Sequence, residues 1–227
     1  LVWLIPFYLM VTNSFKTKQE IFTNPLKFPE AFTFENYPEA FRQLDFIRTL
    51  ANSLLITVSS VIIIVIFSAM AAYALERIKS KFSTITFMVF VAAMLVPFQS
   101  VMIPLVALFG KAQMLNQIGI IFMYLGFGGS MSIFLYHGAM KSIPRALDEA
   151  AIIDGASRWQ VFWKVIFPML KPTTVTVAVL NTMWIWNDYL LPSLVINSPT
   201  TQTIPLKMFF FFGQYTKQWH LALAGLV

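Results

Sequence analysis

Residues 49–75 read TLANSLLITVSSVIIIVIFSAMAAYAL and contain no charged side chain, although Arg48 and Glu76 border them on either side. An α-helix needs about 20 apolar residues to cross the roughly 30 Å of hydrocarbon in a bilayer. The apolar residues follow one another without the alternation that membrane β-strands show. The segment therefore predicts a membrane-spanning helix, and similar segments occur elsewhere in the chain.

Other apolar segments lie on both sides of this one. Residues 82–110 and 112–140 are uncharged, and Asp188 is the only charged residue in 172–206. The uncharged residues at the two chain ends are too few for a complete crossing. We predict an all-α integral membrane protein with six transmembrane helices, the first and last incomplete, at about 1–13, 50–75, 83–108, 118–139, 173–194 and 218–227.

Two of these segments have features that modify the prediction. No basic leader or small-residue cleavage site accompanies residues 1–13, so we interpret them as the back half of a span and not as a signal peptide. Pro97 and Pro104 interrupt the third segment, and each proline removes a helix hydrogen bond. We therefore expect a kink or an early end there, with a gating hinge as the alternative.

The composition excludes several classes of protein. Hydrophobic residues make up 58% of the chain and charged residues 11%, against about 25% charged residues in soluble domains. These values exclude a disordered chain, a coiled coil and an ordinary soluble enzyme. The net charge is +6, but the Lys and Arg residues are spread over the connecting segments, so nucleic-acid binding is not expected. The absence of cysteine excludes a disulfide framework and a thiolate metal site.

The distribution of basic residues predicts the orientation. Segments 76–82 and 140–171 carry Lys and Arg at a higher density than 14–49, 109–117 and 195–217. Cytoplasmic loops are enriched in these residues, so the first two segments are expected inside the cell. Segment 14–49 is then an irregular but ordered cap on the outer surface.

The long inner segment predicts two short helices. Residues 142–172 read SIPRALDEAAIIDGASRWQVFWKVIFPMLKP. Ser142 is a candidate N-cap with Pro144 in the first turn, and Gly155 after Asp154 predicts a left-handed helix end. Ser157 and Gln160 fit a capping box for a second helix, which Pro168 is expected to end. In that helix one apolar stripe contains Trp159, Phe162, Trp163 and Ile166.

An exposed stripe with two tryptophans is typical of a surface that docks on a partner or on lipid headgroups. Ala150 and Ala151 would let another backbone approach closely. The alternative is an interfacial helix pair that only connects two spans, and the residues alone leave both interpretations open.

The same segment resembles the EAA loop of ABC importer permeases. The resemblance rests on Glu149-Ala150-Ala151, on Gly155 four residues later, and on Ile166-Phe167-Pro168. Shorter matches to the carbohydrate branch, and to its second permease subunits of maltose and multiple-sugar type, are Asn13–Lys16, Phe34–Tyr37, Ser142–Pro144 and Trp186–Tyr189. The chain departs from the family at Gly126, Gly128 and Gly129, where bulkier residues are expected.

The resemblance implies a type I ABC importer permease fold in a bacterial or archaeal cytoplasmic membrane. It also implies a second permease subunit, two ATPase subunits that bind ATP and Mg, an extracytoplasmic solute-binding protein and a sugar substrate. Segment 140–171 would be the coupling loop that the ATPase contacts. The implied coupling residues are Glu149, Ala150, Ala151, Asp154, Gly155, Trp159, Phe162 and Pro168.

No Walker A, HExxH or GxSxG pattern occurs, so no catalytic residue, cofactor or metal is expected in this chain. His137 and His220 are isolated and are expected to be packing or interfacial residues. Asp188 is the only acid inside a predicted span, where a pathway role is the default hypothesis. With Asn181 and Trp184 it would form one helix face suited to a sugar. The alternative is that Asp188 ties helices together in an interfacial aromatic belt.

The expected function is inward sugar transport by alternating access, driven by separate ATPase subunits. A permease for a non-sugar solute, such as a polyol or glycerol phosphate, is the alternative within the class. A secondary transporter or an intramembrane enzyme would need ionisable residues deep in several spans.

The orientation is testable because the chain has no native cysteine. Single cysteines at Lys79 and Ser157 are expected to react with a membrane-impermeant maleimide only after the cell is opened. A cysteine at Glu30 is expected to react in intact cells. Labelling at Lys79 from outside intact cells would reverse the orientation.

Overall fold

A computed structural model of the chain describes residues 2–213 and 217–227. Within them the chain is mainly helical, and an isolated bridge between Phe212 and Lys217 is the only β-pairing. The predicted all-α fold is confirmed. The described α-helices are α1 Ile5–Ser14, α2 Lys18–Thr23, α3 Asn36–Leu44, α4 Phe46–Arg77, α5 Lys81–Ala93, α6 Phe98–Lys111, α7 Gln117–Met140, α8 Ala146–Ile153, α9 Arg158–Gln160, α10 Phe167–Met169, α11 Lys171–Asn187, α12 Leu190–Val195, α13 Ile204–Met208 and α14 Trp219–Leu226.

The helices form two compact units. One unit contains Leu1–Leu54 and Asp188–Val227, and the other contains Leu55–Asn187. Helix α4 starts in the first and continues into the second. The candidate site of the inner segment lies entirely within the second unit.

The first unit packs α3 and α14 around a small apolar core that includes Leu44, Met208 and Leu221. Its 14–49 segment is organised by Lys16, whose side chain is fully buried. Lys16 Nζ donates to Asn13 Oδ1 at 2.9 Å and to the carbonyl of Asn24 at 2.9 Å. A buried ammonium group is stable only when such acceptors replace water, so these bonds order the segment.

The second unit contains the two helices, α4 and α7, that are long and apolar enough to cross a membrane on their own within the described residues. The pair α5 and α6 is bent by 105°, and the helical segment Arg158–Met169 makes a bend of 76° with α11. If each bent pair is one span, up to four helical units have the length and composition to cross.

The kink or early end expected within 83–108 is confirmed, because α5 ends at Ala93 and α6 begins at Phe98. The break comes at Pro97, whose backbone is extended at φ −67° and ψ 139°, because proline has no N–H to donate and disfavours a helical residue before it. Pro104 lies inside α6 without ending it. The helix predicted over 173–194 is also divided, because α11 ends at Asn187 and α12 begins at Leu190.

Gly128 allows the close approach of helices in the second unit. A β-carbon at this position would overlap Asn181 Oδ1 on α11 and lie 2.8 Å from Ile64 Cδ1 on α4. Asn181 is held in place by hydrogen bonds from its Nδ2 to the carbonyl of Val177 and to Ser132 Oγ. Gly128, one of the three glycines that depart from the family pattern, is therefore favoured by the packing of this chain.

Gly128→Ala is expected to lower the thermal denaturation midpoint of the detergent-purified chain, because overpacking costs about 1–3 kcal/mol. The matched control is Gly126→Ala on the same helix, where a β-carbon meets nothing within 4 Å. Alanine exceeds glycine in helix propensity by about 1 kcal/mol, so the control is expected to match or exceed the parent. Equal losses in both variants would contradict this account.

Candidate functional site

Helix α8 begins later than the sequence predicted. Its N-cap is Arg145, which makes no side-chain capping bond. The Ser142 hydroxyl instead donates to the carbonyl of Ala139 at 2.7 Å, at the end of α7. The prediction of Ser142 as the N-cap is wrong, because its side chain is used by the helix that precedes it.

The end of α8 agrees with the prediction. Gly155 has a φ of +85°, in the left-handed region that glycine adopts without steric cost. The N–H of Gly155 donates to the carbonyl of Ile152, and the N–H of Ala156 donates to that of Ala151, both at 3.0 Å. These two bonds form a Schellman motif, which satisfies carbonyls that the helix end would leave unpaired.

The second helical segment begins with the predicted capping box. The Ser157 N–H donates to Gln160 Oε1 at 2.8 Å, and the Gln160 N–H donates to Ser157 Oγ at 3.3 Å. The helix then changes to a π-helical stretch over Val161–Ile166 before α10. Pro168 lies within α10, which ends at Met169, so the proline is accommodated one residue before the end.

The apolar stripe of this segment is only partly exposed. Trp159 is 59% exposed, whereas Phe162 is 2% exposed and Ile166 is fully buried. The Phe162 ring lies 5.4 Å from the ring of Tyr73 on α4. The expectation of a fully exposed stripe is therefore wrong at Phe162 and Ile166, which pack inside this chain.

The exposed surface of the loop lies mainly on and after α8. Ile153 is 85% exposed and Ile152 is also exposed, although the sequence argument did not assign them to the surface. Their position three and four residues after Glu149 was the available signal, since such residues share a helix face. The predicted coupling residues that are exposed are Glu149, Ala150, Asp154, Gly155, Trp159 and Pro168, and Ala151 is half-buried.

A buried ion pair joins α8 to the end of α4. Arg77 Nη2 lies 2.8 Å from Asp148 Oδ2, and Arg77 Nε donates to Asp148 Oδ1 at 3.2 Å. The Tyr73 hydroxyl donates to the same Oδ1 at 2.8 Å. The Arg77 and Asp148 side chains are only 13% and 11% exposed. Two charges this far from water are stable together only when further hydrogen bonds support them. Here Tyr73 and Arg77 Nε both donate to Oδ1, whereas Oδ2 has only the ion-pair contact with Arg77 Nη2.

Two backbone contacts reinforce the ion pair. Arg77 Nη2 also donates to the carbonyl of Ile143 at 3.2 Å. Arg145 Nη2 donates to the carbonyl of Glu76 at 2.6 Å. The last turn of α4 therefore donates to the residues just before α8, and the N-cap residue of α8 donates back to α4.

A cavity of about 410 Å³ opens beside the ion pair between Arg77 and Asp148. Its lining includes Tyr73, Arg77, Arg145, Asp148, Glu149, Ile152 and Arg158. Asp148 lies in the first turn of α8. No local pattern links it to Arg77, which lies 71 residues earlier.

The predicted pathway residues Asn181 and Trp184 line one cavity of about 310 Å³ in the second unit. Asn181 is buried, and its Nδ2 donates to the carbonyl of Val177 at 2.8 Å and to Ser132 Oγ at 3.1 Å. Trp184 packs edge-on against Tyr124 with 5.4 Å between ring centroids. The cavity has a size typical of small-ligand sites and combines an aromatic ring with an amide.

Asp188 does not share the helix face of Asn181 and Trp184. Helix α11 ends at Asn187, so the i+7 spacing from Asn181 no longer describes Asp188. Asp188 Oδ1 accepts from the N–H of Leu190 at 3.0 Å and of Leu191 at 3.4 Å. The prediction of one face is wrong at Asp188, whose carboxylate bonds the first amides of α12.

His137 makes the kind of packing contact that was expected of it. His137 stacks on Phe87 with ring centroids 3.9 Å apart, and its Nε2 lies 3.3 Å from Glu76 Oε2. Over residues 2–213 and 217–227, no group of three His, Asp or Glu side chains is arranged to hold a metal ion.

Comparison with known proteins places this geometry in context. The family described as "Binding-protein-dependent transport system inner membrane component" matches residues 64–226. The chain is 58% identical to the probable starch degradation products transport system permease protein AmyC of Thermoanaerobacterium thermosulfurigenes, over 100% of this chain and 82% of the relative. It is 36% identical to the multiple sugar-binding transport system permease protein MsmG of Streptococcus mutans, over 99% of this chain and 82% of the relative.

Among solved structures, the fold is similar to a chain of a bacterial ABC transporter involved in the import of the acidic polysaccharide alginate. The TM-score is 0.81, and the match covers 99% of this chain and 85% of that chain. The sequence identity is 23%, so the likeness is one of fold.

Proposed function

Because the chain belongs to the family of binding-protein-dependent transport system inner membrane components, we propose that it is the membrane-spanning permease subunit of an ABC importer for a sugar or oligosaccharide. Two observations support a sugar. Relatives over nearly the whole chain carry names that refer to starch degradation products and to multiple sugars. The cavity beside Asn181 and Trp184 offers an aromatic ring and an amide, which suit the apolar face and the hydroxyls of a sugar.

The chain acts with partners that supply the energy and the substrate. Two ATPase subunits bind and hydrolyse ATP, and a second permease subunit completes the pathway. A solute-binding protein outside the cytoplasmic membrane delivers the sugar. This chain contributes no catalytic residue, cofactor or metal ligand, and its role is to form the pathway and to receive the movement of the ATPase.

The single observation that carries the coupling role is the exposed end of α8. Glu149 is exposed and has no ion-pair partner among the residues that the structure describes. Ile153 is almost fully exposed beside it. A carboxylate and an apolar side chain on one short helix suit a cleft on the ATPase that offers a basic residue and an apolar wall.

The turn at Gly155 sets the direction of the second helix relative to the first. The ATPases close on ATP and displace α8 together with the segment that follows. The displacement changes the arrangement of the spans, so that the pathway opens to the outside. Return of the ATPases after hydrolysis opens the pathway to the cytoplasm and releases the sugar inward.

Glu149→Lys and Gly155→Val are each expected to abolish sugar uptake and to weaken co-purification of the ATPase with the permease pair. Lysine reverses the charge of the exposed carboxylate. Valine at a φ of +85° costs about 1–2 kcal/mol or more. Membrane insertion and pairing with the second permease are expected to be unchanged.

The controls are Gly155→Asn, since asparagine tolerates the left-handed region, and Glu30→Lys, which makes the same charge change at an exposed site of the 14–49 segment. Both are expected to co-purify with the ATPase like the parent chain. Parental uptake in both Glu149→Lys and Gly155→Val would refute the coupling role and leave the loop as a connector.

A further inference from the structure

We propose that Arg77, Asp148 and Tyr73 are positioning residues that fix α8 to the end of α4, so that the two helices move as one body when the loop is displaced. This inference rests on the proposed function, in which the ATPase displaces the loop. The fixed connection between α8 and α4 follows from contacts within this chain alone.

The contacts between Arg77 and Asp148 fix the orientation of α8 on α4 as well as the distance between the two helices. Arg77 reaches both oxygens of Asp148 with two nitrogens of one planar guanidinium group. Paired contacts of this kind restrict rotation, which a single contact from a flexible ammonium group does not. The Tyr73 hydroxyl, from the preceding turn of α4, supplies a second hydrogen bond to Oδ1 of Asp148. The first turn of α8 therefore has one preferred orientation on α4.

Burial makes it costly to separate Arg77 from Asp148. The Arg77 and Asp148 side chains are nearly excluded from water, so separating them would leave two unpaired charges in an environment of low polarity. A displacement of the loop would therefore move α4 with it before it would break the ion pair. A surface ion pair would not have this property, because water replaces each partner at little cost.

The two halves of α8 differ in a way that suits transmission of movement. The first half is tied by Asp148, and Arg145 just before it is bonded to the carbonyl of Glu76. The second half carries the exposed Ile152 and Ile153. One end of the short helix is thus anchored to α4, and the other end is available to a partner.

Tyr73 also contacts the second helix of the loop. Its ring packs at 5.4 Å from that of the buried Phe162, while its hydroxyl binds Asp148. One side chain of α4 therefore touches both helical segments that flank Gly155. This contact explains why Phe162 is buried in this chain and does not belong to the exposed surface that would contact the ATPase.

The decisive variant is Arg77→Met combined with Asp148→Leu. It removes both charges together, so neither is left unpaired, and it fills the space with apolar side chains. Assembly with the second permease and the ATPase is expected at the parental level. Stimulation of ATP hydrolysis by the binding protein, with a maltooligosaccharide as the probe sugar in proteoliposomes, is expected to fall roughly tenfold with the loss of these charge-assisted bonds. Basal hydrolysis is expected to remain.

Tyr73→Phe is a second, more conservative variant that tests the same contact. It removes one hydroxyl and keeps the ring against Phe162, so assembly is expected to be unchanged and stimulated hydrolysis to fall by roughly two- to fivefold. Lys79→Gln is the matched control, because it removes an exposed positive charge two residues from Arg77. It is expected to match the parent in every readout.

Hydrogen–deuterium exchange of the α8 backbone amides provides a readout that does not depend on transport. Exchange is expected to accelerate in the double variant and to be unchanged in Lys79→Gln. Unchanged α8 exchange, or parental stimulation in the double variant, would overturn the proposal. If the double variant fails to assemble, parental stimulation in Tyr73→Phe would overturn it. Lack of stimulation with the parent chain would instead contradict the proposed function.

Discussion

The ion pair between Arg77 and Asp148 joins segment 140–171 to a helix long enough to cross a membrane, and the proposed role of that segment depends on it. Two opposite charges that leave water together stay together, because each is costly to bury without the other. Here Oδ1 of the carboxylate accepts hydrogen bonds from Arg77 and Tyr73, and Oδ2 lies 2.8 Å from Arg77 Nη2. In this chain, α8 is held at one end and exposed at the other.

The features predicted from the sequence were those set by near neighbours. The uncharged run of α4 was sufficient to identify the helix, and the turn at Gly155 and the capping box at Ser157 depend on contacts within five residues. The ion pair was missed because its partners are 71 residues apart, and no periodicity connects them. Periodicity showed that Phe162 lies on an apolar face, but not that Tyr73 covers that face.

The breaks within apolar segments were harder to predict for a related reason. Hydropathy reports whether a residue prefers lipid or water. It does not report where a helix is interrupted within an apolar segment. Pro97 lies in the break between α5 and α6, whereas Pro104 lies within α6, although both were visible in the sequence. Asp188 followed the helical spacing of Asn181 by count, but α11 had already ended. Conversely, Gly128 departed from the family pattern because α7 packs closely against Asn181 and Ile64.

The most direct test of rigid transmission is the distance between spin labels on α4 and α8 in the assembled importer. Ile62 on α4 and Ala146 on α8 are exposed and are not among the predicted coupling residues, and the chain has no native cysteine, so both positions can be labelled selectively. Pulsed electron paramagnetic resonance would be recorded without nucleotide and with ATP trapped on a hydrolysis-deficient ATPase. The account predicts one narrow distance distribution, with the same maximum in both states. A shifted or broadened distribution with ATP would contradict it, because α8 would then move independently of α4.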